Sequence, residues 1–306
     1  MGNIILIKDA FWAIVSTLNN REWALGIWLI ICIVLVLASK KIRSSVLNLI
    51  KIAFCAKFVA VYSTMLIYLM TTIYILYLAG LWDLSLLKDT IIWFFFTGVV
   101  SGFKGIEAKD FHYFKARIKD YIKATLVIEF IIHSYPFSLF GELLLLPTIT
   151  TLLIFMTFLD NSPEFQVEKY NIVKKMFRFL NLALSIYIIF SAMSAAFWDL
   201  NNLRSANSIK SLVLPPILSV TFLGYIYFFA LFCKYEEIFV RISFGEKKSK
   251  SLIAYIKIRI IAQCHINLNK VSNFWRPNAL NILNIKNKEE AVAFFKSIDK
   301  KNHHTM

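Results

Sequence analysis

Three polar residues lie where polar residues are rare. Glu129 and His133 are four apart and Glu142 follows shortly after, all inside the run Ala124 to Leu159, which holds no Lys or Arg. Residues four apart share a helix face and can touch. A carboxylate beside an imidazole inside a bilayer has the chemistry of a proton relay, an ion site or a pore lining. Glu142 is expected either to face that pair across a hairpin or to sit in the first turn of its own helix, where a carboxylate suits the dipole.

The remaining inventory for chemistry is thin. There is no H-E-x-x-H, no G-x-S-x-G and no paired-aspartate metal site, and His112, His265, His303 and His304 are isolated or terminal. Cys32, Cys55, Cys233 and Cys264 form no C-x-x-C pair, so neither zinc nor a disulfide framework is indicated. No lysine falls inside an apolar block, which excludes a Schiff-base chromophore in its usual form. The expectation is therefore no enzymatic activity, no cofactor and no metal. Gly98 and Gly102 make a G-x-x-x-G, read as a close helix-packing site within the chain. Gly102-Phe103-Lys104-Gly105 is not a phosphate loop, because no G-x-x-x-x-G-K-[ST] fits it.

The elements that must position these residues follow from composition. Of 306 residues, 58% are hydrophobic and only 17% charged, against about 45–50% and about 25% for soluble domains. The apolar residues come in long blocks, the signature of membrane spans. The 36 residues of 124–159 would make a helix of about 54 Å, against a hydrocarbon core of ~30 Å. Pro136, within Ser134 to Ser138, disfavours helix at the residue before it. The run is therefore read as two spans folded into a hairpin. With 23–39, 58–80, 90–103, 179–198 and 211–233, this predicts an all-α membrane protein, a polytopic bundle of about seven transmembrane helices. Residues 1–21 form an N-terminal segment whose stretch 4–18 has amphipathic spacing. Residues 22–233 form the transmembrane domain, and 234–306 a basic, partly helical cytoplasmic tail. Trp23, Trp28, Trp82, Trp93 and Trp198 fall near span ends, as an aromatic belt would require. Pro215-Pro216 is read as lying near the start of the last helix.

Charge sets the orientation. Segments 40–57, 104–123, 160–178 and 234–306 carry 29 of the 34 Lys and Arg, and the other side keeps Lys8, Arg21, Lys88, Arg204 and Lys210. Cations gather on the cytoplasmic face, so the N-terminus lies outside and the C-terminus inside. If 4–18 also crosses, there are eight spans and the N-terminus is inside. The net charge of +15 then belongs at a membrane surface, and nucleic acid is not the expected partner. Lys40, Lys41, Arg43, Lys247, Lys248, Lys250, Lys257 and Arg259 are read as facing anionic lipid headgroups.

The heavy use of Ile, Lys, Asn and Phe is what an AT-rich bacterial gene encodes. The functional expectation is a multi-pass protein of the bacterial inner membrane, a channel-like or membrane-perturbing effector. Its cytoplasmic tail would control it, in a defence (antiviral) or toxin-like setting, as a homo-oligomer or with a cytoplasmic protein partner. The alternatives are a proton-coupled secondary transporter using Glu129 and His133, and a scaffold or sensor that transports nothing.

Overall fold

The computed structural model describes residues 18–108, 110–121, 125–165, 170–243 and 248–303. The amphipathic stretch 4–17 and Lys247 lie outside them. Every regular element among the described residues is helical. Six helices are long and apolar enough to cross a membrane: α1 (Asn20–Ala38), α3 (Ala56–Leu78), α4 (Leu84–Glu107), α7 (Leu139–Asn161), α8 (Asn171–Trp198) and α9 (Ala206–Ser243). The longer of the others are α2 (Lys40–Ala53), α5 (Phe111–Tyr121), α6 (Thr125–Ser134), α10 (Lys250–Cys264), α11 (Leu268–Asn284) and α12 (Lys288–His303), beside short turns at Pro163–Phe165 and Leu200–Leu203.

Several expected boundaries move. The segment 40–57 is mostly helix α2 rather than loop, because Ser39 caps it by accepting from the Ile42 N–H. The first half of the hairpin is the ten-residue α6, about 15 Å long and half of a crossing. α9 begins at Ala206, so Pro215 and Pro216 lie inside the helix rather than at its start.

The chain divides into two units. Unit 1 comprises 1–63, 83–88 and 124–213; unit 2 comprises 64–82, 89–123 and 214–306. In unit 1, α7 packs on α1 and α8, and α6 packs on α8. Few of these side chains are buried: Ala24 on α1, Glu142 and Leu159 on α7, and Ala192 and Ala196 on α8. α7 contains Pro147, which removes one helical N–H and leaves the carbonyl four residues back without its usual donor. Trp28 of α1 supplies it, its indole Nε1 donating to the Leu143 oxygen at 3.0 Å.

Unit 2 has the denser interior. α9 buries Leu214, Leu218, Phe222 and Ile226 at four-residue spacing, facing Met65 and Leu69 of α3 and Trp93 of α4. Trp93 is not in an aromatic belt: it is buried, donates to the Ser219 hydroxyl at 2.9 Å and stands edge-on to Phe222. α4 has a π turn over Phe94–Gly98. A Cβ on Gly102 would strike the Met65 methyl, and one on Gly105 would overlap Cγ2 of Ile226. Gly98 instead faces the Trp93 ring of its own helix.

The segment expected as a partly helical tail holds three helices with buried apolar side chains. Leu252, Ile256, Ile260 and Cys264 of α10 are buried with Leu268, Val271, Phe274 and Ile282 of α11 and Ala291 and Phe295 of α12. Asn287 caps α12: its Oδ1 accepts from the Glu290 N–H at 2.9 Å, while Glu290 accepts from Asn287 Nδ2 at 3.1 Å and from the Lys286 N–H at 2.8 Å. The α10–α11 turn passes through His265 at φ 49°, a region that strains a side chain. Two α9 tyrosines hold that turn, with Tyr235 donating to the His265 carbonyl and Tyr227 to that of Ile266, both at 2.6 Å.

The two glycine contacts predict different costs. Met65 can swing aside, whereas β-branched Ile226 has essentially one χ1 rotamer in a helix. Gly105→Ala should therefore destabilise unit 2 by about 1–3 kcal/mol and Gly102→Ala by less, as read by denaturant titration in detergent. Equal costs would contradict this packing.

Candidate functional site

The densest polar cluster lies in unit 1, where the start of α1, the end of α6 and the start of α7 meet. Its centre is Glu142, with none of its side chain exposed. Arg21 grips it with two nitrogens: Nε donates to Oε2 at 3.0 Å and Nη2 to Oε1 at 2.9 Å. The same guanidinium donates from Nη1 to the Ile132 carbonyl at 3.1 Å. Glu142 Oε1 also accepts from the Phe137 N–H at 2.9 Å. Fork-to-fork Arg–carboxylate contact of this kind is strong and directional.

The local sequence explains the arrangement. Asn19 and Glu22 form a capping box that starts α1, Asn19 Oδ1 accepting from the Glu22 N–H and Glu22 accepting from the Asn19 N–H. That start then caps α6. Arg21 takes the Ile132 carbonyl, and Asn19 Nδ2 donates to the His133 carbonyl at 3.3 Å. These are among the last carbonyls of α6, which lack donors within the helix, and a cation suits that end of the dipole. Asn20 Nδ2 adds a bond to the Phe137 carbonyl in the turn at 3.0 Å.

Other charged and polar pairs lie in the same unit. Lys88 Nζ lies 3.2 Å from Glu22 Oε2, and His133 Nε2 lies 3.5 Å from Glu22 Oε1. Lys210 donates to Asp83 Oδ2 at 2.9 Å. The Ser85 hydroxyl, and then Lys210, hold the Asp83 carboxyl below the ordinary carboxylate range. That link is therefore present at neutral pH and fades as pH falls through the lowered value. Tyr135 donates to Asp199 Oδ2 at 3.1 Å, and burial, with this bond, pushes its phenol up.

The expected site residues separate. His133 meets Glu22 rather than Glu129. Glu129 is exposed on α6 and makes no ion pair with a described residue. Glu142 is committed to Arg21. Gly102 packs against Met65 in unit 2, while Gly98 does not make that approach. Lys40, Lys41 and Arg43 are exposed on α2 and Lys250 on α10, while Lys257 and Arg259 lean over the Phe239 and Phe295 rings. Lys248 is half-buried and donates to the Ile282 carbonyl. Reasoning from the sequence alone passed over Arg21 and Glu22. The available signal was the Asn19-x-x-Glu22 cap, with its Arg, directly before an apolar block.

Unit 2 holds a cavity of about 540 Å³ lined by Phe111, Tyr227, Cys264, His265 and Lys270 among others. Burial pushes the Cys264 thiol up to about 11, which keeps it protonated and poorly nucleophilic at neutral pH. Among the described residues no group of three or more His, Cys, Asp and Glu side chains is placed to hold a metal ion. Comparison with known protein families, with curated proteins and with solved structures found no match.

In this cluster each strong donor of Arg21 faces an acceptor that would otherwise be stranded. The Trp28–Leu143 bond belongs to the same scheme. Trp28→Phe keeps an aromatic side chain and removes the donor, stranding a carbonyl in an apolar setting at a cost of about 1–3 kcal/mol. Unfolding of the variant in detergent should show that loss, and an unchanged midpoint would contradict the role given to the indole.

Proposed function

We propose that this chain is a multi-pass protein of a bacterial inner membrane that acts on the bilayer itself, as a channel-like or membrane-perturbing effector. Its C-terminal helices α10–α12 control it, and its setting is a defence or toxin-like system. One observation carries the reading. α7 is apolar overall, yet Thr150, Thr157 and Asn161 line a single exposed face of it, beside a groove of about 650 Å³. The threonine hydroxyl donors, and one N–H of Asn161, are spent on the helix's own carbonyls, those of Leu146, Leu153 and Thr157, each at 2.8 Å. Acceptor lone pairs are left pointing outward. A polar stripe on an otherwise lipid-like surface suits a water path between copies, so the effector is a homo-oligomer. Apolar side chains on the other faces of α7, such as Leu144 and Phe155, stay uncovered, as lipid contact requires.

Against a proton-coupled transporter stands the separation of Glu129 from His133 and the engagement of Glu142 by Arg21. Those groups hold helices together at one end and offer no relay through the unit.

The orientation we assign is N-terminus outside and C-terminus cytoplasmic; the alternation of basic segments calls for seven crossings, so the stretch that holds the ten-residue α6 must supply one beside the six helices of membrane length. Support comes from the distribution of cations, 29 of 34 lying on the segments assigned inside. Ion pairs occur on both sides of that assignment: Arg21, Lys88 and Lys210 outside, and Arg178, Lys234 and Arg241 inside. The 38-residue α9 reaches about 57 Å against a core of ~30 Å. Its last turns therefore leave the bilayer and carry α10–α12 on the cytoplasmic side, where a protein partner or lipid headgroups reach them.

Potential-sensitive dye in cells expressing the full chain, or a chain ending at Ser243, tests the proposal. One of the two should depolarise the cells, and Thr150→Val with Thr157→Val in that chain should slow depolarisation several-fold at equal membrane content. An intact potential in both chains, or depolarisation indifferent to the threonines, would overturn it.

A further inference from the structure

We propose that α2 is an in-plane sensor of anionic phospholipid, lying in the headgroup layer with its apolar side dipped toward the acyl chains. The inference rests on reading α1 and α3 as spans and goes beyond it, because it assigns a ligand class to a helix that crosses nothing.

Three observations converge. The first is tethering. One residue, Ser39, separates α2 from α1, and two, Phe54 and Cys55, separate it from α3. With both neighbours spanning, α2 has no slack to leave the membrane face, and its 14 residues lie along it for about 21 Å. The second is its two-sidedness. Ile42, Val46, Leu49, Ile50 and Ala53 recur at helical spacing on one side, Lys40, Ser44, Asn48 and Lys51 on the other, with Lys41 and Arg43 at the borders; Leu47 departs from the pattern. The third is exposure. No residue of α2 is buried, and Ile42, Leu49 and Ile50 are 50%, 65% and 47% exposed. No described part of the protein covers an apolar face of that size.

Charge decides the occupant. Lys40, Lys41, Arg43, Lys51 and Lys57 fall within one short stretch that contains no acid. A cationic rim around an apolar strip matches an anionic headgroup layer over hydrocarbon. A second copy of α2 would bring the same cations face to face and is repelled. An acidic soluble protein would satisfy the cations but would leave the tethered apolar strip facing the bilayer unused.

Depth measurement on the full chain tests this. Cys32, Cys55 and Cys233 are replaced by Ser and buried Cys264 by Ala, and one nitroxide is placed at Leu49→Cys. The protein is embedded in nanodiscs of phosphatidylcholine alone or mixed with phosphatidylglycerol. The label should be accessible to oxygen in the anionic discs and should shift toward aqueous nickel chelate in the neutral ones. Lys40→Gln, Lys41→Gln, Arg43→Gln and Lys51→Gln together should abolish that difference, each lowering the embedded-to-exposed ratio roughly fivefold. High salt should weaken it in the parent protein without any substitution. A label equally deep in both lipids, nickel-accessible in both, or broadened by a neighbouring label would overturn the proposal. A second label at Leu29→Cys on α1 separates the two readings. Oxygen accessibility there in both lipids keeps the membrane assignment whatever α2 does, and nickel accessibility there removes that assignment and this inference with it.

Discussion

Burying one carboxylate is what unit 1 is built to manage. Glu142 has no exposed side-chain surface, and an isolated charge in so apolar a setting costs several kcal/mol. Arg21 repays that cost only because its guanidinium is fixed from behind by the Ile132 carbonyl. That carbonyl is available because α6 stops at Ser134, and the Phe137 N–H in the turn after it donates to Glu142 itself. The ion pair, the end of one helix and the beginning of another thus satisfy one another. Remove any one and a charge or a backbone dipole is stranded where water is scarce.

The two units solve the membrane problem differently. Unit 1 leaves most of its apolar surface outward and secures itself through polar contacts at one end, with the single indole–carbonyl bond over Pro147 farther along. Such bonds strengthen where water is absent. Unit 2 relies on close approach. Gly102 and Gly105 admit Met65 and Ile226, Trp93 keys onto Ser219, and α9 presents a continuous buried stripe. Van der Waals contact of this sort drives helix association in lipid, where hydrophobic exclusion between helices is weak. Outside the apolar region, α10–α12 return to the rules of soluble proteins: caps, a buried apolar stripe and basic side chains over aromatic rings.

Much of this was legible in the sequence where it depends on composition over many residues. Six apolar blocks each hold one membrane-length helix, although the 124–159 block, read as two spans, holds one together with the ten-residue α6. What was not legible depended on long-range partners. Glu129 and His133 look like a pair because they are four apart, but α1 brings Glu22 to the imidazole instead. Glu142 looked available because its partner Arg21 lies far away in sequence, at the edge of another helix. The segment 40–57 looked like a loop because its charges outweighed its periodicity, although Ser39 and the Ile42-Val46-Leu49 spacing encode a helix. The C-terminal stretch looked like a tail because a buried stripe of single residues four apart barely registers in average hydropathy. Pro147 inside α7 gave no hint that an indole on α1 would take its stranded carbonyl.

The central claim is that Arg21 and Glu142 act as one unit and not as two independent polar residues. A double-mutant cycle of Arg21→Gln, Glu142→Gln and both together, read as unfolding free energy in detergent, addresses it directly. Each single change should cost about 3 kcal/mol or more, and the double change should cost clearly less than the sum, leaving a coupling of about 2 kcal/mol. Costs that add to within ~0.5 kcal/mol would contradict the account.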